Sequence, residues 1–169
     1  MAKLEVFFDY ACPFCLQGHE LLTELLRLYP DLEVEWRPCE AHPRPEQYGR
    51  HSDLCARAMY FALEQGADMD EYHRRMYRAA LIDEADIEKV GAIQAATAGL
   101  LDQAGLADAL GSGLYGDRLR ENNRQAWEVC DFPAVPSFRL GGGLLPSKLG
   151  IGVSKEELAA FLESKTYTS

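Results

Sequence analysis

Cys12 and Cys15, in the run Cys12-Pro13-Phe14-Cys15, are the residues whose type and spacing best suit chemistry. Such a pair either exchanges disulfides or supplies half of a zinc site. A zinc site of cysteines and histidines needs a second close pair. Cys39, Cys55 and Cys130 are single and far apart in sequence, which favours exchange. The attacking species in exchange is the thiolate, and a free cysteine, with a pKa of about 8.5, is mostly protonated at neutral pH. Unpaired N–H groups at a helix N-terminus, with the positive end of the helix dipole, favour the anion. Cys12 is predicted to stand at such a terminus. Cys15, one turn further in, is then near enough to attack a mixed disulfide on Cys12 and release the partner. Pro13 and Phe14 carry no charge, so the degree of thiolate stabilisation is not written in them. Among polar neighbours, His19 either presents an imidazolium to the thiolate or is a solvated surface histidine. Asp9 reads as a turn former at a strand end or as a buried proton acceptor for Cys15, a role for which Glu20 is also near enough in sequence.

The elements that must position this pair lie on both sides of it. Leu4-Glu5-Val6-Phe7-Phe8 predicts a short buried strand that ends at Asp9. From Pro13 to Leu28 the residues Leu21, Leu22, Leu25, Leu26 and Leu28 recur at helical spacing. Pro13 suits the first helical position, where its missing N–H costs nothing. Tyr29-Pro30-Asp31 ends that helix, and Leu32 to Trp36 alternates as a second strand. Strand, helix and strand in this order give a right-handed crossover and a parallel pair.

Residues 38–51, with Pro38, Pro43, Pro45 and Gly49, read as a loop and a domain boundary. Beyond it the chain is rich in Ala, Leu, Arg and Glu. Helices are predicted over 52–65, 69–81, 86–103 with a break near Gly91 or Gly99, 105–110 and 117–129, with Ser52 and Asp68 or Asp70 as N-caps. Val135 to Leu140 predicts a returning strand, and Gly141-Gly142-Gly143 followed by Leu144-Leu145 makes it a hairpin. Ser154-Lys155-Glu156-Glu157 is a capping-box pattern opening a last helix through Leu158, Phe161 and Leu162.

With 169 residues and 47% hydrophobic composition, the chain can bury a sizeable core as one domain or one domain with an insertion. Its net charge of −10, from 27 acidic and 17 basic residues, repels nucleic-acid backbones and anionic membranes, so neither is an expected partner. No apolar run nears the roughly 20 residues of a membrane helix. Residues 1–10 lack the pattern of a signal peptide, so a cytoplasmic location is expected. In that compartment Cys39, Cys55 and Cys130 are expected as free thiols, with a Cys39–Cys55 disulfide as the alternative. Met59, Tyr60, Phe61, Met69, Tyr72, Met76 and Tyr77 are expected mostly in the core, the alternative being an adaptable groove above the cysteines. Arg74, Arg75 and Arg78 read as a solvated face.

Phe7 to Cys15, Val34-Glu35-Trp36-Arg37-Pro38 and Ala134-Val135-Pro136-Ser137-Phe138 together resemble the DsbA family of thioredoxin-fold proteins, and within it the cytoplasmic FrnE-like branch. That branch usually has tryptophan where Phe14 stands. The resemblance implies an α/β thioredoxin fold from residues 1–45 and 133–169, interrupted by an all-α helical domain over 46–132. It implies that Cys12 is the nucleophile and Cys15 the resolving cysteine, exchanging disulfides with protein or peptide substrates. It further implies that Pro136 follows a cis peptide bond and sits against the cysteines, and that Val135, Pro136, Pro13 and Phe14 form the substrate-facing surface. A free Val135 backbone suits pairing with extended substrate segments. No metal or organic cofactor is expected, with glutathione the candidate co-substrate. Kappa-class glutathione transferases and chromene-carboxylate isomerases are similar in their helical insertion but use serine where this chain has cysteine. A redox-idle binding module of the same fold is the remaining alternative.

Overall fold

In the computed structural model, which describes residues 2–166, the central strand is β1 (Leu4–Phe8). It pairs in parallel with β2 (Val34–Pro38) and antiparallel with β3 (Ser137–Leu140). Leu4, Val6, Phe7 and Phe8 are all buried, so both faces of β1 are covered, which is why it reads as a nearly continuous apolar run. Glu5 is the exception. Its carboxylate takes hydrogen bonds from Arg37 on β2 and Arg139 on β3, and both guanidinium groups also lie over the Phe7 ring, 5.8 and 5.5 Å from its centroid. β3 turns through Gly141 and Gly142, both at positive φ, into β4 (Gly143–Leu145), giving the sheet order β2-β1-β3-β4.

Helix α1 (Pro13–Leu26) leaves β1 with Cys12 as its N-cap and Pro13 in its first turn. Its buried residues, Cys15, Gly18, Leu22 and Leu25, form one stripe against the sheet. The helix ends two residues short of Leu28, which is exposed. On the same side α7 (Lys155–Thr166) is tied to α1 by Lys155 and Glu24 at 2.7 Å. Its capping box is made in both directions: Ser154 Oγ accepts from the Glu157 N–H at 3.1 Å, and Glu157 accepts from the Ser154 N–H at 3.2 Å.

Five helices occupy the chain between β2 and β3: α2 (Asp53–Gln65), α3 (Met69–Tyr77), α4 (Val90–Ala96), α5 (Gln103–Gly111) and α6 (Gly116–Asn123). α2 is buried over every residue from Leu54 to Tyr60, as suits the helix that the others surround. α3 and α6 each continue into a π-helical turn, over Arg78–Ile82 and Arg124–Val129.

Several sequence expectations need correction. The predicted helix over 86–103 is only α4. The chain leaves the helix at Thr97, whose carbonyl accepts from both Leu100 and Leu101 N–H groups, and bends at Gly99 with φ +77°. Gly91 sits within α4 and breaks nothing. Ser52 precedes α2 but makes no capping bond, whereas Asp68, rather than Asp70, caps α3 by accepting from the N–H groups of Asp70 and Glu71 at 3.1 and 3.3 Å. β2 starts at Val34 because its partner β1 starts at Leu4, and β3 starts only after Pro136, which has no N–H for a ladder. Met59, Tyr60, Tyr72, Met76 and Tyr77 are core residues. Arg74 and Arg75 pair with Glu71, and Arg78 with Asp83, on an outer face. No described helix is long and apolar enough to cross a membrane.

Candidate active site

Cys12 and Cys15 meet where β1 hands over to α1. Asp9 ends β1, its carbonyl accepts from the Cys12 N–H at 3.1 Å, and the Cys12 carbonyl accepts from the Cys15 and Leu16 N–H groups at 3.0 and 3.3 Å. This tight turn puts Cys12 in extended backbone at the helix tip (φ −102°, ψ 117°), with no side-chain cap of its own. The two sulfurs differ in environment. Cys12 is partly exposed, and Cys15 is 1% exposed. In its protonated form Cys12 directs its S–H at the Val135 carbonyl, 3.7 Å away, and the Asp9 N–H donates to Cys15 Sγ at 3.4 Å.

These environments split the acidities. The Cys15 thiol against it lowers the Cys12 pKa below the usual cysteine range, burial opposes, and the N–H groups of Cys15 and Phe14 add to the lowering. Cys15 is pushed well up, by burial first and then by the same contact with Cys12. One thiol is thus the more readily ionised of the two, and its neighbour keeps its proton.

Around the pair, the structure gathers the residues that sequence picked out one by one. The Val135–Pro136 peptide bond is cis, and Pro136 packs on α1 at Gly18. A Cβ built on Gly18 would lie 2.7 Å from Pro136 Cγ, so no larger residue allows this approach. Phe14 lies beside Gly152 of the turn Lys148–Gly152, which closes with a Gly152 N–H to Lys148 carbonyl bond of 2.9 Å. Pro13 is exposed in front of the motif. Asp9 is 2% exposed, its two oxygens accepting from the N–H groups of Ala11 (2.8 Å) and Ala41 (2.9 Å). It is therefore both a turn former and a buried carboxyl.

His19 corrects both of its readings. It is half-buried, its ring lying 5.7 Å from Trp36, 5.1 Å from His73 and 5.5 Å from Tyr77, so it is not a solvated surface residue. Burial lowers its pKa, which makes it a neutral ring at neutral pH and no imidazolium for the thiolate. Glu20 is exposed. Cys39 and Cys55 are separate buried thiols and not a disulfide. An open groove of about 610 Å³ runs beside the site between α1 and α3, lined by Leu16, His19, Thr23, Asp70, Arg74 and Ile82, where none of the expected Met and aromatic residues take part. Gly18 and Gly152 escaped the sequence reading. A small residue on the buried stripe of α1 signals Gly18; Gly152 carries no local signal.

Residues 3–146 match the DSBA-like thioredoxin domain. The chain belongs to that family. It is similar to YwbO of Bacillus subtilis (strain 168), 26% identical over 92% of this chain and 95% of that one. Among solved structures, SCO1869 of Streptomyces coelicolor, described as a probable DsbA oxidoreductase, superposes with a TM-score of 0.81 at 17% identity, covering 100% of this chain and 92% of that one. MdbA of Actinomyces oris, described as a thiol-disulfide oxidoreductase, has a TM-score of 0.64 at 17% identity over 96% of this chain and 80% of its own. The four-stranded sheet with helices between β2 and β3 is the DsbA-like thioredoxin fold.

Proposed function

We propose that this protein exchanges disulfides with protein or peptide thiols through Cys12 and Cys15, with glutathione as the co-substrate that resets the pair in a cytoplasmic setting. The observation that carries the reading is the contrast of the two sulfurs: Cys12 partly exposed at a helix tip with lowered pKa, Cys15 buried behind it with raised pKa. The description of MdbA and the family match agree with it.

In the reducing direction the Cys12 thiolate attacks one sulfur of a substrate disulfide. A Cys12–substrate bond forms, the substrate's S–S bond breaks, and its other sulfur leaves as a thiolate. Cys15 then gives up its proton to the thiolate released in the first step and attacks Cys12 Sγ; the remaining substrate thiolate departs, and a Cys12–Cys15 disulfide is left. Two electrons pass to the substrate. Two glutathione thiols regenerate the dithiol by the same two steps and leave as glutathione disulfide. In the opposite direction each step reverses. The Val135 carbonyl, 3.7 Å from Cys12 Sγ, supports a reading in which a substrate segment carrying the attacked sulfur pairs with this backbone.

Insulin reduction with glutathione as the electron source tests this. The wild type is expected to precipitate the insulin B chain, Cys12→Ser to lose all activity over background, and Cys15→Ser to accumulate a mixed disulfide on Cys12. Equal rates in all three proteins would overturn the proposal.

A further inference from the structure

The carboxyl group of Asp9 lies beside the turn that carries the dithiol, taking the Ala11 N–H next to Cys12, and among the described residues no Lys or Arg is one of its main electrostatic neighbours. Its charge is felt by Cys12 and Cys15 at the start of α1; by Cys39, Glu40 and His42 in the segment after β2; by Cys55 on α2; and by Tyr77 on α3. His42 is the one basic group of that set, and it is already engaged with Glu46 at 2.8 Å. The Ser52 hydroxyl is buried on the same side, outside hydrogen-bond geometry. Both oxygens of Asp9 accept backbone N–H groups, from Ala11 and Ala41, which is the pattern of an ionised carboxylate acting only as an acceptor. Its own main chain meanwhile holds both cysteines: the Asp9 carbonyl takes the Cys12 N–H and the Asp9 N–H serves Cys15 Sγ.

A thiolate on Cys12 therefore forms close to a buried negative group, with little solvent between them to screen the repulsion. The disulfide carries no such charge. Repulsion of this kind disfavours the reduced, thiolate-bearing form and leaves the disulfide untouched, so it shifts the redox equilibrium toward oxidised protein and reduced partner.

We propose that Asp9 is a positioning residue that biases the direction of exchange: its buried carboxylate opposes the Cys12 thiolate and makes the pair a stronger reductant than the same cysteines would be without it. This rests on the exchange reaction proposed above. The bias is linked to protons, because reduction places a thiolate beside Asp9 and raises its proton affinity. Where Asp9 takes up a proton, the opposition falls away. The pair is then most reducing on the alkaline side of the Asp9 titration.

The test is the equilibrium of the purified protein with defined ratios of reduced and oxidised glutathione, with dithiol content read by thiol trapping. Asp9→Asn keeps the shape and removes the charge. At fixed glutathione ratio and pH 7.5 it is expected to hold about tenfold more of the dithiol form, and the pH at which Cys12 is half alkylated by iodoacetamide is expected to fall by about one unit, the same tenfold factor. An amide must place its NH2 near the N–H of Ala11 or Ala41, so Asp9→Ser serves as a second neutral variant and should move both readouts the same way. The wild type alone gives a third readout. The pH dependence of its glutathione equilibrium should carry an extra proton-linked inflection besides the Cys12 ionisation. Neutral variants that fold but leave equilibrium and alkylation profile within twofold of wild type would overturn the assignment, as would a wild-type equilibrium that follows one ionisation only. A wild type that never exchanges with glutathione would instead sink the reaction itself, so the two failures are distinguishable.

Discussion

At the scale of single residues, the site works by placing two identical side chains in unequal surroundings. The Cys15 contact and the N–H groups at the start of α1 depress Cys12, while burial elevates Cys15. Cys12 should therefore be alkylated with a half-maximal pH below that of a free cysteine, and Cys15 should stay unmodified until the chain unfolds. Peptide mapping after iodoacetamide treatment across a pH series checks both, and equal labelling would contradict the assignment. The sign for stability follows. A thiol whose folded pKa is depressed stabilises the reduced fold above its unfolded pKa and loses that contribution as pH falls through the folded value. The dithiol protein should thus gain stability relative to a Cys12→Ser variant as pH rises toward the ordinary cysteine range. Thermal melts of both proteins over that range measure it. The cysteines were legible from spacing alone, since two sulfurs at a helix start have few other uses. The setting of Asp9 was not, because its partner at Ala41 arrives from elsewhere in the chain and leaves no mark beside it.

Among the elements, α1 carries the main constraint. Its buried stripe delivers Cys15 and Gly18 to the same side, and Gly18 lets the strand-entry loop at Pro136 press onto the helix. In an exposed helix a glycine-to-alanine change stabilises by up to about 1 kcal/mol. Gly91 in α4 should behave so, because a Cβ there meets nothing within 4 Å. At Gly18 the sign should reverse: a Cβ 2.7 Å from Pro136 Cγ forces the loop or the helix to move, an overpacking cost of about 1–3 kcal/mol. Differential scanning calorimetry on Gly18→Ala and Gly91→Ala reads the contrast. Gly18→Ala should also slow insulin reduction, since Val135 moves with Pro136 away from Cys12. A Gly18→Ala protein with raised melting temperature would show that the close approach is not maintained. Most elements were readable in the sequence because their signals are local: the Leu stripe of α1, Asp68 before α3, the Ser154–Glu157 box before α7. Where helix and loop have similar composition, as over 86–103, apolar content ran past the real end at Thr97, and only the turn at Gly99 marked it.

For the molecule as a whole, the sheet and the helices between β2 and β3 share one continuous core, and a buried polar residue locks them together. Asn122, near the end of α6, is 2% exposed. Its amide NH2 donates to the Pro38 carbonyl on β2 at 2.9 Å and to the Tyr60 hydroxyl on α2 at 2.7 Å, and its carbonyl accepts from Arg37 at 3.2 Å. Asn123 beside it accepts from the Glu40 N–H at 2.7 Å. These bonds fix the segment that leaves β2, including the Ala41 N–H that reaches Asp9, so the helical layer holds the far side of the site. No sequence pattern announced this, because an asparagine in a polar helix run looks like any surface residue until the strand it faces is known. Asn122→Ala would leave buried polar groups on Pro38 and Tyr60 without partners, at about 1–3 kcal/mol for each one that water cannot reach. The variant is expected to lose about 2–3 kcal/mol in urea unfolding through a lower midpoint at unchanged slope. Asn122→Asp should recover only the bonds to Arg37 and the Tyr60 hydroxyl, because a carboxylate has no hydrogen to offer the Pro38 carbonyl. Were the two variants equally stable, or both as stable as wild type, the lock between layers would rest on apolar packing and not on this asparagine.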